Sequence, residues 1–226
     1  MKHAGKARQA GLKLIVLSLI IILLVIGIWS YLAGTVLTAA ALALSGIWLA
    51  FVLFCLNFFR DPDPNLPSDP GAIVSPAHGT VDVIDETMEK VFMGGKCRRI
   101  SVFLSVFDVH IQNAPIAGRV ACLQHSPGQF LNAMRTDCGV YNENVLIGIE
   151  SSEATGERMA VRLIAGLIAR RIVPWVAQND LVTKGERTSL IQFGSRVELY
   201  LPLNAEVRVN LGDKVRGGES VVAKRT

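Results

Sequence analysis

The chain predicts a mainly β, largely antiparallel domain with some α, preceded by an N-terminal pair of transmembrane or membrane-embedded helices. Three observations lead there. Positions 14–59 carry no charged side chain over 46 residues, about twice the ~20 apolar residues that one spanning helix needs. Beyond position 70, short runs rich in Val, Ile, Thr and aromatic residues recur between glycines, the pattern of strands and turns. Between the two lies Asp61-Pro62-Asp63-Pro64-Asn65-Leu66-Pro67-Ser68-Asp69-Pro70. Proline blocks helix and disfavours it in the preceding residue, so this stretch is extended. The organisation expected is therefore a basic tail and membrane hairpin over 1–57, a proline-rich linker over 58–70 and a β-rich domain over 71–226.

The first 13 residues hold Lys2, Lys6, Arg8 and Lys13 and no acidic residue. The apolar run after them divides at Ala33-Gly34-Thr35, giving helices over 14–32 and 36–54. Basic residues stay on the cytoplasmic side, and an even number of spans returns Arg60 to that side. The β domain is thus expected in the cytoplasm, anchored to the inner or cell membrane. A cleaved signal peptide would end in a small-residue cleavage site rather than in a second apolar helix; a shallow re-entrant hairpin has the same hydropathy. The net charge of +4 does not point to nucleic acid: with the four tail residues set aside, 19 Lys and Arg face 19 Asp and Glu. The excess is a membrane-surface feature, drawn to anionic lipid.

In the β domain, strands are expected over 81–84, 98–104, 119–123, 145–150, 159–164, 189–193, 197–201 and 206–209. The stretch 164–176 fits a helix or a buried strand, and its Arg170 and Arg171 read as a solvated pair. Two glycine turns around one apolar unit close the chain at 211–221, as they also do in lipoyl-type sandwiches. Cys55, Cys97, Cys122 and Cys138 have neither CxxC spacing nor histidines at zinc-site distance, so they read as structural thiols, reduced in a cytoplasmic domain, and no metal is expected. His125 reads as a surface or loop residue.

The chemistry concentrates at Gly194-Ser195, which interrupts a strand-like run from Leu190 to Leu201. Glycine inside a strand marks a bulge or a close backbone approach. A serine hydroxyl there can attack a carbonyl once a base takes its proton, and the nearest carbonyl is that of Gly194. Two further segments carry polar groups at turns: Ser75-Pro76-Ala77-His78-Gly79-Thr80-Val81, and Phe107-Asp108-Val109-His110-Ile111-Gln112-Asn113-Ala114-Pro115 after an apolar strand. Together with FFRDP at 58–62 and FGSRVELYLP at 193–202, in this order, they resemble the phosphatidylserine decarboxylases in their short bacterial and archaeal form.

The resemblance implies a self-processing proenzyme. Ser195 would attack the Gly194 carbonyl, and ester formation, β-elimination and loss of ammonia would leave a pyruvoyl cofactor made from Ser195. The products would be a β chain of 1–194 and an α chain of 195–226. The ketone would condense with the amine of phosphatidylserine, and decarboxylation would yield phosphatidylethanolamine. Ser195, His110, Asp108 and His78 are the residues expected at the reacting centre, with Gly194 and Ser195 at the cleaved bond. The partners implied are a membrane phospholipid, the chain's own two fragments and further copies in a homo-oligomer. The chain departs from the family where His78 replaces the aspartate of SPADG and where Gln112-Asn113 replaces an Asn-Arg pair. Imidazole has an ordinary pKa near 6.5 and can serve as a base in its own right. An unprocessed homologue that binds aminophospholipid and a membrane-anchored lipoyl-like module are the alternatives.

Overall fold

A computed structural model describes residues 2–33, 38–135, 138–167, 171–192 and 195–226. Its contacts divide the chain into Gly5–Asp61 and a second unit of Pro62–Thr226 with the first four residues.

The first unit is a pair of helices, α1 (Lys6–Ala33) and α2 (Thr38–Phe58). Both are long and apolar enough to cross a membrane, over Lys6–Tyr31 and Ala40–Phe58, and most of their large side chains face outward. They are longer than the sequence pattern predicts: α1 begins eight residues earlier and α2 ends four later. The reason lies at the base of the pair. The Gly5 amide donates to Asp61 Oδ2 at 2.6 Å and Arg8 to the Asp61 carbonyl at 3.1 Å, so an acidic group satisfies the exposed start of α1. Gly11 lets the Phe59 ring close on α1, since a Cβ there would lie 2.9 Å from it. The expected turn at Ala33-Gly34-Thr35 falls largely outside the described residues, which omit 34–37.

The second unit is antiparallel β. Its strands are β1 (Ala72–Val74), β2 (Gly79–Glu89), β3 (Gly95–Leu104), β4 (Ile111–Asn113), β5 (Gly118–Ser126), β6 (Asn144–Ser151) and β7 (Arg158–Ile164). They continue with β8 (Arg171–Pro174), β9 (Leu181–Val182), β10 (Arg187–Gln192), β11 (Ser195–Leu201), β12 (Glu206–Val207), β13 (Lys214–Val215) and β14 (Val221–Lys224), with one short helix, α3 (Cys138–Tyr141). Eight form one sheet in the order β13-β2-β3-β11-β7-β6-β5-β9; β4-β10-β8 and β1-β14-β12 form two smaller ones. Every expected strand is present, most of them longer at one or both ends. The ambiguous 164–176 stretch resolves at its ends into the last residue of β7 and the strand β8.

β11 is the centre of the large sheet and is buried along its whole length. Val197, Leu199 and Leu201 enter the main apolar core with Val102, Ile147, Val161 and Leu163. The opposite face carries Arg196, Glu198 and Tyr200, also buried, so the strand reads apolar on one face and charged on the other. Glu198 receives Arg99 at 2.9 Å and the Tyr200 hydroxyl, while Arg162 lies over the Tyr200 ring at 5.0 Å. Burial and the Glu198 charge push the Tyr200 phenol well above its ordinary range. Cys97 and Cys138 are buried and Cys122 is partly so; burial raises the thiols of Cys97 and Cys122, which suits structural cysteines.

Candidate active site

Ser195 opens β11 where the chain passes from the three-stranded sheet of β10 into the eight-stranded sheet. Phe193 and Gly194, which join the two strands, lie outside the described residues. Ser195 pairs with Leu104 of β3, and the following Arg196 pairs with Phe103 on one side and Ile164 on the other. The serine is fully buried, and among the described residues its hydroxyl has no hydrogen-bond partner. A buried, unpartnered hydroxyl costs about 1–3 kcal/mol relative to a satisfied one, and such a group in a native fold calls for a chemical explanation.

His110 is brought beside this junction by the smaller sheet. Ile111 pairs with Leu190, and the Ile191 amide donates to the His110 carbonyl at 3.2 Å, four residues before Ser195. The His110 ring is fully buried, with Nδ1 2.9 Å from the main-chain oxygen of Asp108. A carbonyl can only accept, so Nδ1 carries the proton and Nε2 is the basic nitrogen of the neutral ring.

Asp108 therefore meets His110 through its backbone. Its carboxylate accepts from the Ser105 amide at 2.8 Å, and its own amide donates to the Ser105 carbonyl at 2.9 Å, closing the turn after β3. His78 sits at the third point. Thr80 pairs with Phe103, so the register sets Gly79 across β3 from Ser195. Two strand spacings of about 4.8 Å separate those backbones by roughly 10 Å. The His78 ring lies against Gly217, with Cδ2 3.1 Å from where a Cβ on that glycine would stand; Asn113 Oδ1 would be 2.7 Å from the same point. Gly79 itself is required: a Cβ would meet the Phe103 carbonyl oxygen at 2.2 Å, and its φ is +155°. His125 is exposed and pairs with Glu143 at 3.1 Å. Arg170 is outside the described residues, and Arg171 opens β8 in solvent.

Two supports escape the sequence reading. Gln112, in the pair that stands where the resemblance has Asn-Arg, is fully buried; its Nε2 donates to the His110 carbonyl at 2.7 Å and its Oε1 accepts from Ser189 at 2.8 Å. It holds His110 to β10. Arg196 is buried with Nη1 and Nη2 on the two Asp82 oxygens at 2.8 and 2.6 Å, Nη1 also on Ser101 Oγ at 2.7 Å, and Nε and Nη2 on the Ala133 carbonyl at 3.2 and 3.1 Å. Their signal was a polar residue inside an apolar strand run.

This geometry meets the comparisons with known proteins. The family described as phosphatidylserine decarboxylase matches residues 51–223, which include all these groups. The chain belongs to the phosphatidylserine decarboxylase family. The chain is 45% identical over 181 residues to a phosphatidylserine decarboxylase proenzyme of Desulfotalea psychrophila, covering 80% of this chain and 84% of that one. It is 42% identical over 182 residues to the proenzyme of Symbiobacterium thermophilum, with the same coverage, and 40% over 192 residues to that of Pelobacter propionicus, covering 85% and 86%. Membership of the phosphatidylserine decarboxylase family makes the protein a decarboxylase.

Proposed function

We propose that the protein is a membrane-anchored, self-processing phosphatidylserine decarboxylase that produces phosphatidylethanolamine. One observation carries the reading: the buried hydroxyl of Ser195 at the head of the central strand, unpartnered among the described residues, with His110 held beside the preceding strand. In processing, His110 Nε2 takes the proton of Ser195 Oγ as the oxygen attacks the Gly194 carbonyl, and the peptide C–N bond breaks to leave an ester and a free amine. Loss of the Ser195 Cα proton then expels Gly194 as a carboxylate that keeps the serine oxygen. The enamine left at 195 becomes an imine, and water replaces its nitrogen as ammonia departs, giving a ketone. Asp108 orients His110 through its carbonyl, and His78 is the second candidate base, standing where the family has aspartate.

The residues present fit a pyruvoyl group at position 195. A hydroxyl lost from this site deserts no hydrogen-bond partner among the described residues. The group would supply an electrophilic ketone that condenses with the substrate amine and takes up the electron pair left by carbon dioxide. Cutting the 194–195 bond also leaves the sheet intact, because β11 is paired on both sides by β3 and β7 of the larger fragment. Position 195 stays fixed by the Arg196 ladder and by the Arg196 side chain on Asp82. The basic tail and the two apolar helices support a cytoplasmic position for the domain, by the rule that basic flanks stay inside.

Mass analysis of the purified full chain tests this. Two fragments are expected, the smaller spanning 195–226 with no free N-terminal amine, and Ser195→Ala should remain whole. Cleavage at the same bond in Ser195→Ala would refute the mechanism. A natural chain that stays intact would favour an unprocessed lipid-binding homologue, the reading that His78 in place of aspartate supports.

A further inference from the structure

The strand register collects one end of the eight-stranded sheet. β3 ends at Leu104 opposite Ser195, β7 ends at Ile164 opposite Arg196, and β6 begins at Asn144 opposite Ile164. The connections that leave this end follow β3 and β7 and precede β6. Each presents large apolar side chains to solvent: Phe107 is 69% exposed, Met134 68%, Val140 78%, Tyr141 51% and Leu167 59%. Single exposed apolar residues are ordinary on a protein surface, but five on three connections at one end form a patch that something covers.

The connection before β6 is also fastened to the one after β7 and to β11. Asn142 Nδ2 donates to the Ala165 carbonyl at 2.8 Å, the Ala165 amide to the Glu143 carbonyl at 2.9 Å, and Arg196 to the Ala133 carbonyl. Met134, Val140, Tyr141 and Leu167 therefore stand on braced connections near the start of the central strand, and Phe107 on the turn after β3. The opposite end of the sheet mixes exposed apolar side chains, Met88, Val91 and Leu203, with ion pairs. There Arg158 pairs with Glu150, and Arg225 with Glu153 and Glu157, around the ends of β7 and β11.

We propose that this rim is a bilayer-docking surface: Phe107, Met134, Val140, Tyr141 and Leu167 enter the interfacial layer of a phospholipid membrane, so that a substrate's acyl chains remain in lipid while its headgroup reaches position 195. The inference rests on the reading of Ser195 as the reacting centre. A diacyl substrate cannot bring its tails through water, and the reacting serine opens at the same end as the apolar rim. The mix of aromatic and aliphatic groups suits the membrane–water boundary, where amphipathic rings settle. The same chain carries two helices apolar enough to cross a membrane, so a bilayer is the phase this domain works beside.

The test uses the full chain with a photoreactive phenylalanine analogue bearing a diazirine at position 107, 140 or 203, reconstituted in phosphatidylcholine vesicles containing phosphatidylserine. Leu203 is 42% exposed beyond the far end of β11 and serves as the control. After irradiation, lipid adducts should be several-fold more abundant at 107 and 140 than at 203. Equal labelling at all three positions would overturn the proposal. So would cross-linked dimers through 107 and 140 that persist on dilution in lipid, which would assign the rim to a second copy. The same samples report cleavage on a denaturing gel: a cleaved chain without rim adducts refutes the docking surface alone, whereas an intact chain with rim adducts refutes the processing reading alone.

Discussion

Arg196 carries the clearest energetic consequence, because it is buried, charged and next to the proposed cleaved bond. Its guanidinium makes five contacts, two of them a bidentate pair with Asp82 at 2.8 and 2.6 Å. Asp82→Ala leaves the charge in place with only Ser101 Oγ and the Ala133 carbonyl. Breaking a buried ion pair from one side costs about 3–5 kcal/mol. The Asp82 side chain is 27% exposed, so water can partly replace it, and the lower figure, about 3 kcal/mol, applies. For a domain of this size each kcal/mol moves the melting midpoint by ~2–4 °C, so a fall of about 6–12 °C is expected. The assay is thermal unfolding by circular dichroism in detergent, in a Ser195→Ala background that keeps every molecule a single chain. Glu86→Ala is the control: its pair with Arg98 spans 3.6 Å between half-exposed side chains and should contribute less than about 1 kcal/mol. Asp82→Leu with Arg196→Met should recover part of the loss, since the unpaired charge is gone. A midpoint for Asp82→Ala no lower than that of Glu86→Ala would refute the argument.

Four other outcomes follow from the same geometry. His110→Ala should leave the precursor whole on a gel, because the base proposed to take the Ser195 proton is gone; cleavage at the natural rate would remove His110 from its role. His78→Ala should slow cleavage and His78→Asp should preserve it if the imidazole has taken over the family's aspartate; natural rates in both would reduce His78 to shaping the turn before Gly79. Gly79→Ala should lower both stability and cleavage, since its Cβ meets the Phe103 oxygen at 2.2 Å, a backbone contact that no side-chain movement relieves. Against the burial that would raise it, the amides of Met93, Phe92 and Val91 and the charge of Arg162 hold the Glu89 carboxyl below the usual range. A depressed folded-state pKa contributes stability that is present above the unfolded value, about 4.3, and lost as pH falls through the folded one. Acid titration of the melting midpoint should therefore be steeper in the natural protein than in Glu89→Gln, and identical acid limbs would contradict the assignment.

Several parts of this architecture are legible because they depend on local pattern. Alternation with β-branched residues predicts the strands that become β2, β3, β5, β6, β7, β10 and β11. The strands that escape notice are short pieces such as β4 and β14, too brief to show a period and stabilised by their neighbours. The helix ends differ for a related reason: Asp61 supports the start of α1 from 56 residues away and Phe59 packs against Gly11 in its second turn, contacts that hydropathy does not register.

At the site the division is sharper. The strand interruption nominated Gly194-Ser195, and the family resemblance carried by the ordered segments nominated His110, Asp108 and His78 as its candidate partners. Their mutual placement was not available there. Asp108 stands two positions before His110, a spacing equally compatible with a carboxylate or a carbonyl facing the ring; the turn closed on Ser105 selects the carbonyl. Gln112 reads as a lost motif residue until the pairing of β4 with β10 turns it into the tie between His110 and Ser189. The sequence by itself determined the apolar anchor, the β class and the reactive residue types, since each is written in composition and short-range order. Only the tertiary structure decided that the Ser195 hydroxyl is buried with no partner among the described residues, that Arg196 is pinned to Asp82 114 residues away, and that three connections with exposed apolar side chains leave the same end of the sheet. Those features arise from antiparallel register, which joins residues by strand pairing rather than by their separation along the chain.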